Sequence, residues 1–192
     1  MRQLENKKVA IITEDGFEEV ELTSPKHALE EAGATVHIIS SHDKVKAWDH
    51  DHWSIELPVD EIIDNANADD YDALMIPGGV LNPDKMRGEQ RFIDFAKAFL
   101  SAKKPVGAIC HGPQLLIETE MLTGRQMTSY HSVKTDLQNA GVNWKDKVVV
   151  VDKGLVTSRS PKDLIAFNEK LIEEIEVGAH SGRHKTLTVP VN

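Results

Sequence analysis

The sequence predicts an α/β fold, a mostly parallel sheet covered by helices on both faces. Two observations point there. Short, β-branched apolar runs alternate with segments whose apolar residues recur at helical spacing. The runs themselves are continuously apolar, as strands buried on both faces must be. With 192 residues the chain suits one domain with a full core, and 40% hydrophobic residues place it outside the disordered class.

The elements follow in order. Val9 to Thr13 (VAIIT) reads as a buried strand bounded by charges. Glu18 to Ala32 has helical spacing at Val20, Leu22, Ala28, Leu29 and Ala32, but Pro25 stands inside it. A mid-helix proline is costly, so the main helix is expected to start at Ser24 as N-cap with Pro25 at its first position. Gly33 closes it. Val36 to Ser40 is the second strand, and the polar stretch His42 to Leu57, with Trp48 and Trp53, reads as a hairpin or excursion. Asp72 to Ile76 is a strand ending in Pro77-Gly78-Gly79. Arg91 to Ala102 is a helix with Phe92, Phe95, Ala96, Phe99 and Leu100 on one face. Pro105 to Cys110 is a strand, Pro113 to Leu122 a helix, and Met127 to Tyr130 a short strand. Val133 to Ala140 is a helix closed by Gly141, and Val148 to Val151 pairs with Leu155 to Ser158 across Asp152-Lys153-Gly154. The last helix runs from Ser160 to Val177, with Ser160 as N-cap and Pro161 in its first turn. Residues 1–177 make one domain, and 178–192 form a polar tail without periodicity.

Charge and cysteine content narrow the function. Lys+Arg number 22 against 31 Asp+Glu, a net charge of −9, which repels phosphate backbones and disfavours nucleic-acid binding. No segment has the length and apolarity of a membrane span, and the amino-terminal apolar piece is too short for a signal peptide, so a cytoplasmic address is expected. Cys110 is the one cysteine, which rules out an internal disulfide and a Cys-rich zinc site.

That thiol stands where an apolar strand gives way to a helix, in Ala108-Ile109-Cys110-His111-Gly112-Pro113. Ligands of open parallel sheets sit beyond the carboxyl ends of the strands. The strand–turn–helix pattern is that of a nucleophile elbow, with Gly112 giving the turn room. Unpaired N–H groups and positive potential at the helix start are expected to lower the thiol pKa. The competing reading is a small buried hydrophobe at a strand end.

Three other strand ends converge on the same edge. In Glu14-Asp15-Gly16-Phe17-Glu18-Glu19 a desolvated carboxyl could share a proton with the thiol, or the acids could only dress a helix start. Gly78 and Gly79 let backbone N–H groups approach an oxyanion, or merely turn. Tyr130-His131-Ser132 follows a short strand and offers pocket candidates in Tyr130 and His131. His111 is the nearest general base, although adjacent side chains usually point apart. His50-Asp51-His52 lacks firm metal spacing, so no metal is expected.

Ala108-Ile109-Cys110-His111-Gly112-Pro113-Gln114, Phe17-Glu18-Glu19-Val20-Glu21, Tyr71-Asp72-Ala73-Leu74 with Ile76-Pro77-Gly78-Gly79, and Val150-Val151-Asp152 with Thr157-Ser158-Arg159 together resemble the ThiJ/PfpI superfamily, in its PfpI-like branch of intracellular proteases and general stress proteins. The resemblance covers about residues 7–176. It implies a flavodoxin-like three-layer sandwich, Cys110 at the elbow, Glu18 as its acid partner and His111 beside it. It also implies an oxyanion site of N–H groups near Gly78, Gly79 and His111, a homodimer that can assemble further, and no cofactor. Peptidase-like members orient the histidine with an acid from a neighbouring subunit. Here that segment, Gly79-Val80-Leu81-Asn82-Pro83-Asp84, lacks the familiar glutamate, and Asp84 is the substitute.

Three activities follow from the resemblance. One is a stress-response hydrolase of glyoxals or their early adducts, with a small carbonyl substrate. The second is an intracellular cysteine peptidase. The third is a non-enzymatic redox-sensing or chaperone-like stress protein, whose thiol oxidises to a sulfinic acid.

Overall fold

A computed structural model of the chain describes residues 3–179. Residues 180–192, most of the expected tail, lie outside the described residues. In chain order the elements are β1 (Lys8–Ile12), β2 (Phe17–Glu18), α1 (Glu19–Glu31), β3 (Thr35–Ser40), β4 (Lys44–Asp49), β5 (His52–Pro58), β6 (Glu61–Ile62), β7 (Ala73–Ile76), α2 (Leu81–Arg87) and α3 (Gln90–Ser101). They continue with β8 (Val106–Ile109), α4 (Pro113–Ile117), β9 (Gln126–Met127), α5 (Lys134–Asn139), β10 (Asn143–Trp144), β11 (Val149–Asp152), β12 (Leu155–Ser158) and α6 (Leu164–Val177).

The main sheet has the order β11-β12-β8-β7-β1-β3-β6. Every neighbouring pair is parallel except β11 with β12. Side chains alternate across it, as the two-residue strand period requires. Val9 and Ile11 of β1 face a core with α1 and α6, built on Leu22, Leu29, Phe167 and Leu171. Ala10 and Ile12 face the opposite core, with Phe92, Phe95 and Phe99 of α3 and Leu115 of α4. Helices on both faces explain why the strands carry no polar alternation.

The expected helix start at Ser24 is corrected. α1 begins at Glu19 and runs through Pro25, which is buried in the stripe Glu21, Leu22, Pro25, Leu29. Packing on α6 outweighs the lost backbone bond, and Asn168 Nδ2 donates to Ser24 Oγ across that contact (3.0 Å). The expected helix to Leu122 stops at Ile117, and the strand to Tyr130 stops at Met127. α2 occupies a segment for which the sequence predicts no element; Asn82, Pro83 and Asp84 look like turn residues, yet all stand in its first turn, where proline is tolerated. The last helix starts as a 3-10 turn over Pro161–Asp163.

Three parallel strands at the centre, β8, β7 and β1, lie side by side. Their carboxyl ends bring Cys110, the Pro77-Gly78-Gly79 turn and the Phe17–Glu21 segment to one edge. β2 pairs with β4, so the β4–β5 hairpin stands over that edge as a wall.

Candidate active site

Cys110 follows β8 with φ +60°, a left-handed conformation that costs a residue with a Cβ about 1–3 kcal/mol. Three backbone bonds hold the turn. Cys110 N–H donates to Ser158 O (3.0 Å), Tyr130 N–H to Cys110 O (2.9 Å), and Gly112 N–H to Ile109 O (2.8 Å). The sulfur-bearing residue is 7% exposed. The strain is held by surrounding structure, as it is at many functional turns.

The carboxyl against the thiol is Glu21, and this corrects the placement of Glu18. Glu21 is fully buried. Its Oε2 accepts the Gly78 N–H (3.1 Å), and Oε1 has no N–H or O–H partner among the described residues. Burial pushes Glu21 up to about 8, against the opposing effect of the neighbouring Cys110 thiol. Glu18 stands before the first turn of α1, off the inward stripe that carries Glu21. It faces His50 instead, at the cavity wall, and burial raises it.

Burial also pushes the Cys110 thiol up, with the negative charge of Glu21 as the second cause. That reverses the expected lowering. α4 is five residues long and adds little field, so desolvation outweighs the pull of the His111 and Gly79 N–H groups on the sulfur. The charge of Glu21 is absent below its own raised pKa. The raised value favours the protonated form of Glu21 beside the sulfur at neutral pH.

The expected oxyanion set shrinks. The Gly78 N–H is taken by Glu21, the Gly79 N–H turns to both Glu21 and the sulfur, and the His111 N–H turns to the sulfur. Gly78 matters for space: a Cβ there would stand 2.4 Å from Glu21 Oε2 and 2.7 Å from Cys110 Cβ.

His111 and Cys110 do meet, although they are adjacent, because the left-handed turn breaks strand alternation. Nδ1 of His111 lies 3.2 Å from Sγ, and its Nε2 lies 3.2 Å from Ser132 Oγ. Its ring stacks on Tyr130 at 4.7 Å. Burial lowers its pKa, which keeps the imidazole neutral. Asp84 is exposed on α2 and does not line the cavity; within the chain the outer nitrogen of His111 is met by Ser132.

Glu18, Glu21, Trp48, Cys110, His111 and Tyr130 line a cavity of about 570 Å3 together with neighbouring residues. Tyr130 also borders a second cavity of about 230 Å3, and His131 opens into that one, away from the thiol. Glu18, Asp49 and His50 bring ligand atoms within 4.8 Å of one another, a set that could hold a cation. His50 already pairs with Asp49 at 2.5 Å, and His52 pairs with Asp51.

Sequence reasoning missed Glu21, Ser132, Trp48 and Asn82. A signal for Glu21 existed: positions 21, 25 and 29 share a helix face with Leu22, once α1 is allowed to pass through Pro25.

Comparison with known proteins gives one family. The DJ-1/PfpI family model matches residues 7–174. The Bacillus subtilis (strain 168) protein named "Putative cysteine protease YraA" is 48% identical over 166 residues, covering 86% of this chain and 96% of that one. General stress protein 18 of the same organism is 46% identical over 171 residues, covering 88% and 98%. Among solved structures, Schizosaccharomyces pombe DJ-1 superposes with a TM-score of 0.77 at 27% identity, over 87% of this chain and 90% of that one. The fold is thus the flavodoxin-like sandwich of these neighbours. No helix among the described residues is long and apolar enough to cross a membrane.

Proposed function

The chain belongs to the DJ-1/PfpI family, and we propose that it is a cytoplasmic stress-response hydrolase in which Cys110 attacks glyoxals or their early adducts. One observation carries this reading: a buried carboxyl, raised to about 8, held against a strained thiol at the floor of a compact cavity. A cavity of that size has room for a small carbonyl compound and for its larger adducts.

Methylglyoxal illustrates the chemistry. Sγ bonds to the aldehyde carbon while the carbonyl pair moves to oxygen. His111 Nδ1 accepts the thiol proton and returns it to that oxygen, which the Gly79 and His111 N–H groups hold. The product is a hemithioacetal. Neutral His111 then takes the carbon-bound proton and delivers it to the neighbouring carbon. Glu21 protonates the oxygen of that second carbon and recovers a proton as the thioester carbonyl forms. Water hydrolyses the thioester to a 2-hydroxy acid and free thiol. The sum is substrate plus water, and no redox partner is needed.

The test is methylglyoxal consumption by purified protein. Cys110→Ala should abolish it. Glu21→Gln should lower it roughly 100-fold, the scale of one positioned acid–base group. Glu18→Gln should keep most of it. Undiminished turnover in Cys110→Ala ends the proposal.

A cysteine peptidase is the second reading. The 3.2 Å Cys110–His111 contact and the name of the YraA relative favour it. It would need a homodimer in which Asp84 of one subunit reaches the histidine of the other. Assaying the same preparations on unstructured peptides separates the two, since the small-carbonyl reading expects no cleavage.

A further inference from the structure

We propose that Asn82 is a positioning residue that sets the two peptide planes of the Pro77-Gly78-Gly79 turn toward the Cys110–Glu21 pair. The inference rests on the reading that this pair is the working centre.

Asn82 is fully buried and uses its whole hydrogen-bonding capacity. Its Nδ2 donates to Pro77 O (2.9 Å) and Gly78 O (3.1 Å). Its Oδ1 accepts from Glu14 N (2.7 Å) and Thr13 Oγ1 (3.2 Å). Each carbonyl it grips shares a peptide plane with a functional N–H. Pro77 C=O is rigidly opposed to Gly78 N–H, which reaches Glu21 Oε2. Gly78 C=O is opposed to Gly79 N–H, which turns to Cys110 and Glu21. A planar amide cannot rotate one group without the other. Asn82 therefore holds both donors from behind while touching neither reacting group.

The turn needs such a hold. Gly78 and Gly79 are adjacent, Gly79 has φ +78°, and glycines permit peptide flips that other residues resist. Asn82 also ties the turn after β7 to the end of β1 through Thr13 and Glu14. The chain that leads from β1 to the helix carrying Glu21 is thus tied to the turn that carries the amides.

The experiment measures the pH dependence of Cys110 alkylation by iodoacetamide in wild type, Asn82→Asp, Glu21→Gln and the double variant, with thermal unfolding of each. The titratable neighbours of the thiol are Glu21, Glu18, His111 and His131. Because Asn82→Asp adds a carboxyl to them, Asn82→Ser, which also loses the Nδ2 donors and adds no charge, goes through the same cycle. Asn82→Asp keeps the oxygen acceptor and loses the Nδ2 donors. The expected result is a profile shifted by about one pH unit or more in Asn82→Asp, with no further shift when Glu21→Gln is already present. An equal shift in both backgrounds overturns the proposal, because Asn82 would then act by another route. So does an unshifted profile accompanied only by lost stability, the mark of a purely structural residue. If Glu21→Gln itself leaves the profile unchanged, the pair fails and this role falls with it. A normal Glu21→Gln response beside an unshifted Asn82 variant removes this role alone. A shift present in Asn82→Asp and absent in Asn82→Ser would come from the added charge and overturns the proposal; should Asn82→Asp not fold, Asn82→Ser decides alone.

Discussion

Glu21 is a fully buried carboxyl, and that has a thermodynamic signature. Its folded value of about 8 stands above an ordinary 4.5. Between those pH values the folded chain binds a proton that the unfolded chain has released. Stability from this group is complete below 4.5, falls as pH rises, and levels off above 8, at up to roughly 1.4 kcal/mol per unit. Glu21→Gln cannot titrate, so its stability should decline less with pH. Urea unfolding at about pH 5.5 and about pH 7.5 should show wild type losing roughly 2–3 kcal/mol more than the variant across that interval. Parallel curves would mean that Glu21 ionises freely in the folded state. The same residue marks how far the sequence could be read. Cys110, its elbow and the approach of an acid from the first strand end were legible, because each follows from strand-to-helix patterning. Which acid was not. Glu18, Glu19 and Glu21 lie within four positions, and only the helix phase decides which points inward. Pro25 had moved the expected helix start past all three.

The β8–α4 junction shows how little slack the elbow has. Gly112 has φ −48°, so its conformation would suit other residues. Space is what forbids them: a Cβ would lie 2.7 Å from Ile76 O and 2.9 Å from Ile109 O. Both atoms are backbone of central strands and cannot swing aside. Gly112→Ala should cost about 1–3 kcal/mol, as other overpacked sites do. Gly88→Ala is the control, since its nearest neighbour would be Lys85 O at 3.4 Å. Equal melting temperatures for the two variants would show that the elbow yields. Local signals read the centre of this element well and its end poorly. α4 stops at Ile117, where the chain turns back, and Glu120 adopts φ +59°. No glycine or proline at that point announces the stop. α2 was hidden for the opposite reason, because its first turn is built of residues that usually punctuate loops.

At the scale of the whole molecule, sheet order makes the site. With β8, β7 and β1 adjacent and parallel, a thiol, two glycine amides and an acid distant in sequence must meet at one edge. Strand alternation made that convergence legible, whereas a partner surface has no comparable period. The cavity mouth carries the strongest pointer to one. Val80 is 63% and Leu81 43% exposed, and both border the cavity. Leu81 also covers Gly16, where an added Cβ would come within 2.6 Å of its own Cβ. It is therefore held in place with part of its side chain still in water. Two adjacent apolar side chains presented at the start of a short helix are suited to burial against a second copy. The chain should sediment at twice its 21.3 kDa. Leu81→Glu should shift that species toward the single chain, because a carboxylate is costly to bury without a partner. Cys110 alkylation, which depends on contacts within one subunit, should continue in the variant. A wild-type protein that stays monomeric at micromolar concentration would remove the dimer. It would also remove the route by which Asp84 could reach a histidine, and leave His111 with Ser132 alone behind it.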